Sequence, residues 1–458
     1  MEIIVLNGSP KGKTSVTMQY VNFIQKKFPE HELKIHNVAQ RIKTTGKNEK
    51  AFQEIIDAVK SSDGVLWAFP LYVFLVHSNY KRFIELISEK GAKDIFRNKY
   101  TAALSTSIHF FDHTAHNYIN AICDDLDMKY VSSFSADMID LIEKKGRESL
   151  LLFAENFFDA IENNAPTLKS FKPVIYRRFE YVPGNVEKKV DVGDRKVVVV
   201  TDSDDANSNL AKMIGRFKKS FAKEVEVINL HDIHIKGGCL GCLHCGFDYI
   251  CAYQGKDEFI EFYNTKIKTA DVLVYAGTIK DRYLSSRWKL FFDGSFFNCH
   301  SPSIIGKQVG FIISGPLSHI SNLRQILEGW TGWQQANLVD FITDEDEDSA
   351  QIDALLQSFA TRLIQFDEKN YIKPPTFLGV GGMKIFRDDI WGRLRFVFQA
   401  DHRFYKKHGM YDFPQKDFKT RIRNRIMILL TKIPTVRKEF PKRIIKEMIK
   451  PYQKIPMN

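Results

Sequence analysis

Along most of the chain, short runs of β-branched and other apolar residues alternate with stretches whose apolar positions recur every three or four residues. The runs at 3–6, 32–38, 64–69, 100–105 and 130–134 read as strands. The helical patterns at 15–27, 49–61, 79–89, 112–126 and 147–162 fall between and after them. The series restarts at 196–200, with further strands over 224–230, 271–275, 308–314 and 338–342. Helices are expected there over 208–221, 257–268, 285–293, 321–329 and 351–364. Strand–helix alternation of this length implies parallel sheets with helices on both faces. The fold class expected is therefore α/β, with two doubly wound parallel five-stranded sheets in tandem.

The stretch 166–194, with Pro166, Pro173, Pro183 and Gly184, reads as a linker. Domains are thus expected at 1–165 and 195–370, followed by a helical extension over 371–458. Within the extension, prolines at 414, 434, 441, 451 and 456 are expected to break the helices into short pieces. A chain of 458 residues, 44% hydrophobic and 26% charged, suits two globular domains with ordinary cores. No apolar stretch approaches the ~18 residues of a membrane span. The N-terminus opens directly on a strand, without a basic region and apolar core, so a cytoplasmic location is expected.

The net charge of +11 is unevenly placed. Residues 383–458 hold 20 Lys/Arg against 7 Asp/Glu, a net +13, and the rest holds 46 against 48, a net −2. In this basic tail Ile422, Ile426, Leu429, Leu430 and Ile433 form one apolar face, surrounded by Arg421, Arg423, Arg425 and Lys432. The plainer expectation is that this stripe packs on the body. The alternative is an anionic membrane surface or an acidic partner protein. No nucleic-acid motif accompanies the charge.

Three loops follow first-half strands. Asn7 to Ser15 is a polar turn into a helix N-terminus, with Ser9, Lys11, Lys13, Thr14 and Ser15 able to meet an anion. It lacks the Walker A spacing, and an ordinary hydroxyl helix cap is its simpler reading. Pro70-Leu71-Tyr72 places a rigid turn and an aromatic ring at a strand's carboxyl end, where doubly wound sheets bind ligands. Tyr72 reads equally well as a loop residue packed on the core. Ser105, Thr106 and Ser107 precede His109, Asp112, His113 and His116, whose histidines read as capping, surface or catalytic residues.

Gly8-Ser9-Pro10-Lys11 with Ser15, and Pro70-Leu71-Tyr72 followed by Lys81-Arg82-Phe83, resemble the flavodoxin-like NAD(P)H-dependent FMN reductase and iron–sulfur flavoprotein family. The resemblance implies a flavodoxin-like fold for both halves. It also implies that Ser9, Lys11 and Ser15 hold the FMN phosphate and that Pro70, Leu71 and Tyr72 flank the ring. Ser105, Thr106 and Ser107 form the third loop of that site. His77 departs from the small residue or proline common at its position.

Four of the six cysteines, Cys239, Cys242, Cys245 and Cys251, share one short loop, while Cys123 and Cys299 stand alone. Two successive C-x2-C steps closed by a fourth cysteine suit a thiolate-held iron–sulfur cluster. Structural zinc, which usually separates its two knuckles more widely, and metal-free thiols are the alternatives. His244 is expected to be exposed or peripheral. The loop also resembles the compact motif that binds a [4Fe-4S] cluster in the iron–sulfur flavoproteins. Asp257 and Glu258 follow it, and Lys289 to Asp293 echo the family's Lys-x-Phe segment. The second half's own first turn, Thr201 to Asn209, carries three aspartates and no glycine or lysine, so one half retains the flavin motifs and the other the cysteines.

The expected function is a flavin-dependent oxidoreductase passing electrons between FMN and a [4Fe-4S] cluster, with NAD(P)H or a small redox protein as donor. One alternative is an NAD(P)H-dependent FMN or quinone reductase whose cysteine loop is structural. The other is a non-enzymatic electron carrier docked by its basic tail. Electron donor, acceptor and oligomeric state stay open at this level.

Overall fold

Ile3, Ile4, Val5 and Leu6 offer no polar position because the strand they form, β1 (Glu2–Asn7), is covered on both faces. In the computed structural model, which describes residues 1–450 and 452–455, β1 pairs in parallel with β2 (Glu32–His36) and β3 (Gly64–Tyr72). A two-residue strand, β4 (Leu75–Val76), folds back antiparallel onto the end of β3. Beyond β3 come β5 (Tyr100–Ser107) and β6 (Lys129–Asp137), giving the order β2-β1-β3-β5-β6.

Helices α1 (Val16–Lys27), α2 (Ile42–Lys47), α3 (Glu49–Ser61), α4 (Ser78–Glu89), α5 (Lys93–Phe96), α6 (Asp112–Asp125) and α7 (Lys144–Glu162) connect and cover these strands. One core unites Met18 and Val21 of α1, Leu66 and Leu104 of the sheet, and Phe153 and Phe157 of α7.

The second sheet contains β7 (Val197–Thr201), β8 (Glu226–Asn229), β9 (Val272–Thr278), β10 (Gln308–Ser314) and β11 (Asn337–Thr343), all parallel in the order β11-β10-β9-β7-β8. With β4 set aside, both sheets have the 2-1-3-4-5 order of flavodoxin-like folds. Its helices are α8 (Asn209–Lys219), α9 (Phe259–Phe262), α10 (Ser286–Gly294), α11 (Ser321–Trp333) and α12 (Ser349–Glu368).

The helix expected over 257–268 is shorter and irregular: α9 runs into a π turn at Tyr263–Ile267. The wider turn lets the consecutive rings of Phe262 and Tyr263 both face Phe291, with centroids 6.3 and 5.9 Å away.

The two sheets meet through α4 and α10. Asp293 accepts the Ser78 N–H at 2.7 Å, and Glu85 accepts the Ser286 N–H at 2.6 Å, so each helix caps the other's first turn. Each capping carboxylate also pairs with a buried lysine one turn earlier on its own helix, Glu85 with Lys81 and Asp293 with Lys289. Arg282 closes the same seam with a two-pronged pair to Asp125 at 2.7 and 2.6 Å.

Residues 371–402 belong with both sheets to one compact unit, Met1–His402. Here α13 (Phe377–Trp391) crosses α11 so closely that a Cβ on Gly332 would lie 3.3 Å from the Gly379 Cα. The second unit begins at Arg403, within α14 (Gln399–Lys407), and contains α15 (Phe418–Leu430) and α16 (Pro434–Ile449). Pro434 starts α16, whereas Pro441 lies inside it without ending it, contrary to the break expected there. Pro451 and Pro456 fall outside the described residues. Contrary to the plainer expectation for the apolar stripe, no residue of α15 is buried.

Candidate active site

The first half's three loops converge at the carboxyl ends of β1, β3 and β5, where they line a cavity of about 440 Å³. Ser9, Lys11, Ser15, Pro70, Leu71, Tyr72, Thr106 and Ser107 all face it. Gly12 turns the first loop at φ +59°, and Ser15 caps α1 by accepting the Met18 N–H. The helix-cap reading of Ser15 is therefore correct as well as its place in the cavity. Ser105 is absent from the lining. Its hydroxyl is buried and bonded to His116 Nε2 at 2.8 Å. Burial pushes the His116 imidazole down to about 4, while His109 and His113 are exposed.

The cysteine loop forms part of the same cavity. Gly241 and Leu243, both inside the Cys239–Cys245 motif, stand in its wall beside Lys11 and Tyr72. Gly241 has φ +60°, and a Cβ there would come 2.4 Å from the Tyr72 hydroxyl oxygen and 3.0 Å from the Lys11 Cε. His77, the departure from the expected small residue, fastens this loop. Its Nδ1 accepts the Asn79 N–H, leaving Nε2 to donate to the Cys239 carbonyl at 3.0 Å. Burial raises the Tyr72 phenol well above its ordinary value, so its hydroxyl stays protonated.

Cys239, Cys242, Cys245 and Cys251 line a second, smaller cavity of about 40 Å³, walled by Leu240, Tyr253, Phe259 and Phe297 among others. The Gly241 and Tyr253 N–H groups point at Cys239 Sγ and Cys251 Sγ, at 3.4 and 3.5 Å. Burial pushes both thiols up. Among the described residues, no group of three or more His, Cys, Asp or Glu is arranged to hold a metal ion. His244 is exposed, with Nδ1 on the Ile250 carbonyl.

Cys299, isolated in the sequence, lies against Cys245. The Cys245 thiol donates to the Phe296 carbonyl at 3.8 Å and the Cys299 thiol to the Phe297 carbonyl at 4.0 Å, and the proximity of the two sulfurs holds Cys245 down and raises Cys299.

The far wall of the 440 Å³ cavity comes from segments with no local motif: Phe110, Phe296, His300, Trp333, Phe386 and Phe398. Phe386 packs on Phe110 at 4.3 Å and on His300 at 4.2 Å between centroids. His300 Nδ1 donates to Asp401 at 2.8 Å. That carboxylate is fully buried and also accepts from the His300 N–H, Ser301 and Tyr249. The preceding residue, Cys299, is held at φ +49°, where a non-glycine backbone is strained by roughly 1–3 kcal/mol. The site thus combines an anion-suited cradle, an aromatic wall, a fixed imidazole and an adjoining pocket of thiols.

The corresponding edge of the second sheet is crossed by the linker yet stays partly open, with a cavity of about 630 Å³ beside Asp202, Asp204 and Lys280 and one of about 270 Å³ beside Thr278, Ser314 and Asp344. The linker crosses it with Asn209 Nδ2 donating to the Phe179 carbonyl and Oδ1 accepting the Tyr181 N–H, both at 2.9 Å. Asp344 accepts from Asn209, Ser314 and the Gly315 N–H at the same edge.

Residues 1–138, which contain all three first-half loops, match the family model of NADPH-dependent FMN reductase. No curated protein matches the chain. Among solved structures, an NADH:FMN oxidoreductase in its apo form is 17% identical with a TM-score of 0.30, over 34% of this chain and 87% of that one. A flavoenzyme NAD(P)H:(acceptor) oxidoreductase from Paracoccus denitrificans is 18% identical with a TM-score of 0.31, over 35% and 97%. An FMN-dependent NADH-azoreductase from Bacillus anthracis str. Ames Ancestor, in complex with FMN, is 16% identical with a TM-score of 0.25, over 36% and 100%.

Proposed function

We propose that the chain is a flavin-dependent oxidoreductase that binds one FMN at the first sheet and a [4Fe-4S] cluster on Cys239, Cys242, Cys245 and Cys251, with NAD(P)H or a small redox protein as electron donor. The observation that carries this reading is that Gly241 and Leu243 of the cysteine loop line the same cavity as Ser9, Lys11 and Tyr72. The cavity's volume lies within the ~300–1,000 Å³ of small-molecule sites. Ser9, Ser15 and the Lys11 ammonium would hold the phosphate, and Pro70, Leu71 and Tyr72 would flank the ring. A four-thiol donor set, with backbone N–H groups aimed at two sulfurs, fits a cluster. When bound, a flavin carries one or two electrons and a [4Fe-4S] cluster carries one.

The protein's own part is to place and shield. His77 ties the cysteine loop to the start of α4, and the aromatic wall gives the cavity an apolar side. His300, held through Nδ1 by Asp401 in the cavity wall, is the side chain we assign to proton exchange with a bound acceptor. The three aspartates of the second half's first turn, which would repel a flavin phosphate, support a single flavin per chain.

A second reading, an NAD(P)H-dependent FMN or quinone reductase with a structural cysteine loop, is favoured by the absence of a metal-ready donor group among the described residues. Anaerobically purified protein assayed for iron, sulfide and FMN separates the two. The first reading expects one FMN and four irons per chain, with iron lost and FMN kept in Cys242→Ser. Protein that binds FMN but holds no iron and sulfide, after anaerobic reconstitution, establishes the second.

A further inference from the structure

The basic tail offers a surface that the redox reading does not use. From Arg403 onward the sequence holds 16 Lys/Arg against 4 Asp/Glu, a net +12, while the preceding residues hold 50 against 51. Within this segment α15 is a self-contained helix. Asp417 caps it by accepting the Thr420 N–H at 3.0 Å. Phe418, Ile422, Ile426 and Leu429 recur at three- and four-residue spacing and so share one face. All four are exposed, Ile422 at 58%, Ile426 at 52% and Leu429 at 63%. Arg421 and Arg425 border this face on one side and Lys419 and Arg423 on the other.

We propose that α15 docks on an anionic lipid surface, with its apolar face at the headgroup–acyl boundary and its cations on the phosphates. Two features select this occupant. Four of the exposed apolar residues form one stripe flanked by cations, as in helices that lie in a membrane interface, while Met427, Ile428 and Leu430 extend the apolar surface of its last turn. The charge of the whole segment complements an anionic leaflet, where each nearby Lys or Arg adds to binding. Among the described residues no helix is long and apolar enough to cross a membrane, so α15 lies on the surface instead of spanning it. Nucleic acid would satisfy the cations but leave the isoleucines and leucines in water.

The test is co-sedimentation of the full-length chain with vesicles of phosphatidylcholine alone and of phosphatidylcholine mixed with phosphatidylglycerol. Binding is expected to the mixed vesicles and to be at least about tenfold weaker on neutral ones. The double variant Ile422→Glu/Ile426→Glu changes only exposed positions and is expected to lose at least about tenfold in binding to mixed vesicles. Far-ultraviolet circular dichroism is expected to leave its folded state unchanged. Equal binding to both vesicle types, no binding to either, or an unaffected double variant would overturn the proposal. So would concentration-dependent self-association that the double variant abolishes while vesicle binding is absent, since a second copy would then cover the face.

Discussion

Asp293 at the end of α10 caps α4 across the seam between the two sheets, its Oδ2 accepting the Ser78 N–H at 2.7 Å. The same carboxylate neutralises Lys289, and neither side chain reaches solvent. Burial alone pushes the Lys289 ammonium down, so its charge depends on this one partner. Asp293→Ala should therefore destabilise the chain by about 3–5 kcal/mol, the usual cost of leaving a buried charge unpaired. Lys289→Met/Asp293→Ala should recover most of that loss, leaving about 1 kcal/mol for the lost cap. Urea unfolding of both variants checks this, and equal losses in the two would show that the ion pair is not the dominant interaction.

The strands of both sheets were legible because buried parallel strands leave uninterrupted apolar runs, as Ile3 to Leu6 and Val197 to Val200 do. The loops were legible because glycine, proline and hydroxyl residues punctuate them at the strand ends. The far wall was not. Trp333, Phe386 and Phe398 look like ordinary core aromatics in sequence; the close crossing of α11 and α13 brings the first two to the cavity, and the turn after α13 brings the third. His300 carries no local signal at all, because its partner Asp401 lies about a hundred residues away. Ser105 shows the opposite failure: a motif position that local hydrogen bonding turns inward.

Lys11 is the cation of the cradle, so its removal should affect the phosphate and little else. A charge-assisted hydrogen bond contributes about 1.5–3 kcal/mol, so Lys11→Ala should weaken FMN binding about 10- to 100-fold. Riboflavin, which lacks the phosphate, should bind wild type and variant alike. Quenching of flavin fluorescence measures both ligands. A parallel loss for riboflavin would move Lys11 from the phosphate to the ring.

The proton role proposed for His300 can be separated from electron delivery. His300→Gln should slow reduction of a quinone, which takes up protons, by about 100-fold, within the usual contribution of a positioned acid or base. Reduction of ferricyanide, which takes an electron and no proton, should change little. Asp401 is a positioning residue, and Asp401→Ala should reproduce the same split through loss of the Nδ1 anchor. If both acceptors slow equally, His300 shapes the cavity and does not move a proton.

His116 makes stability depend on pH through burial. Its imidazole is held down to about 4 in the folded chain against an ordinary value near 6.5, so it stays neutral in the native state at pH 7. Below about pH 6.5 the unfolded chain takes up a proton that the native state refuses, and stability falls as pH drops towards about 4. By about pH 5 the loss should reach roughly 2 kcal/mol, with none at pH 7.5. His116→Gln keeps an acceptor for the Ser105 hydroxyl but cannot titrate. Urea unfolding at both pH values should show the variant losing about 2 kcal/mol less than wild type on acidification. Identical losses would mean that His116 gains solvent or a compensating partner before it protonates, and that another buried group sets the acid limit.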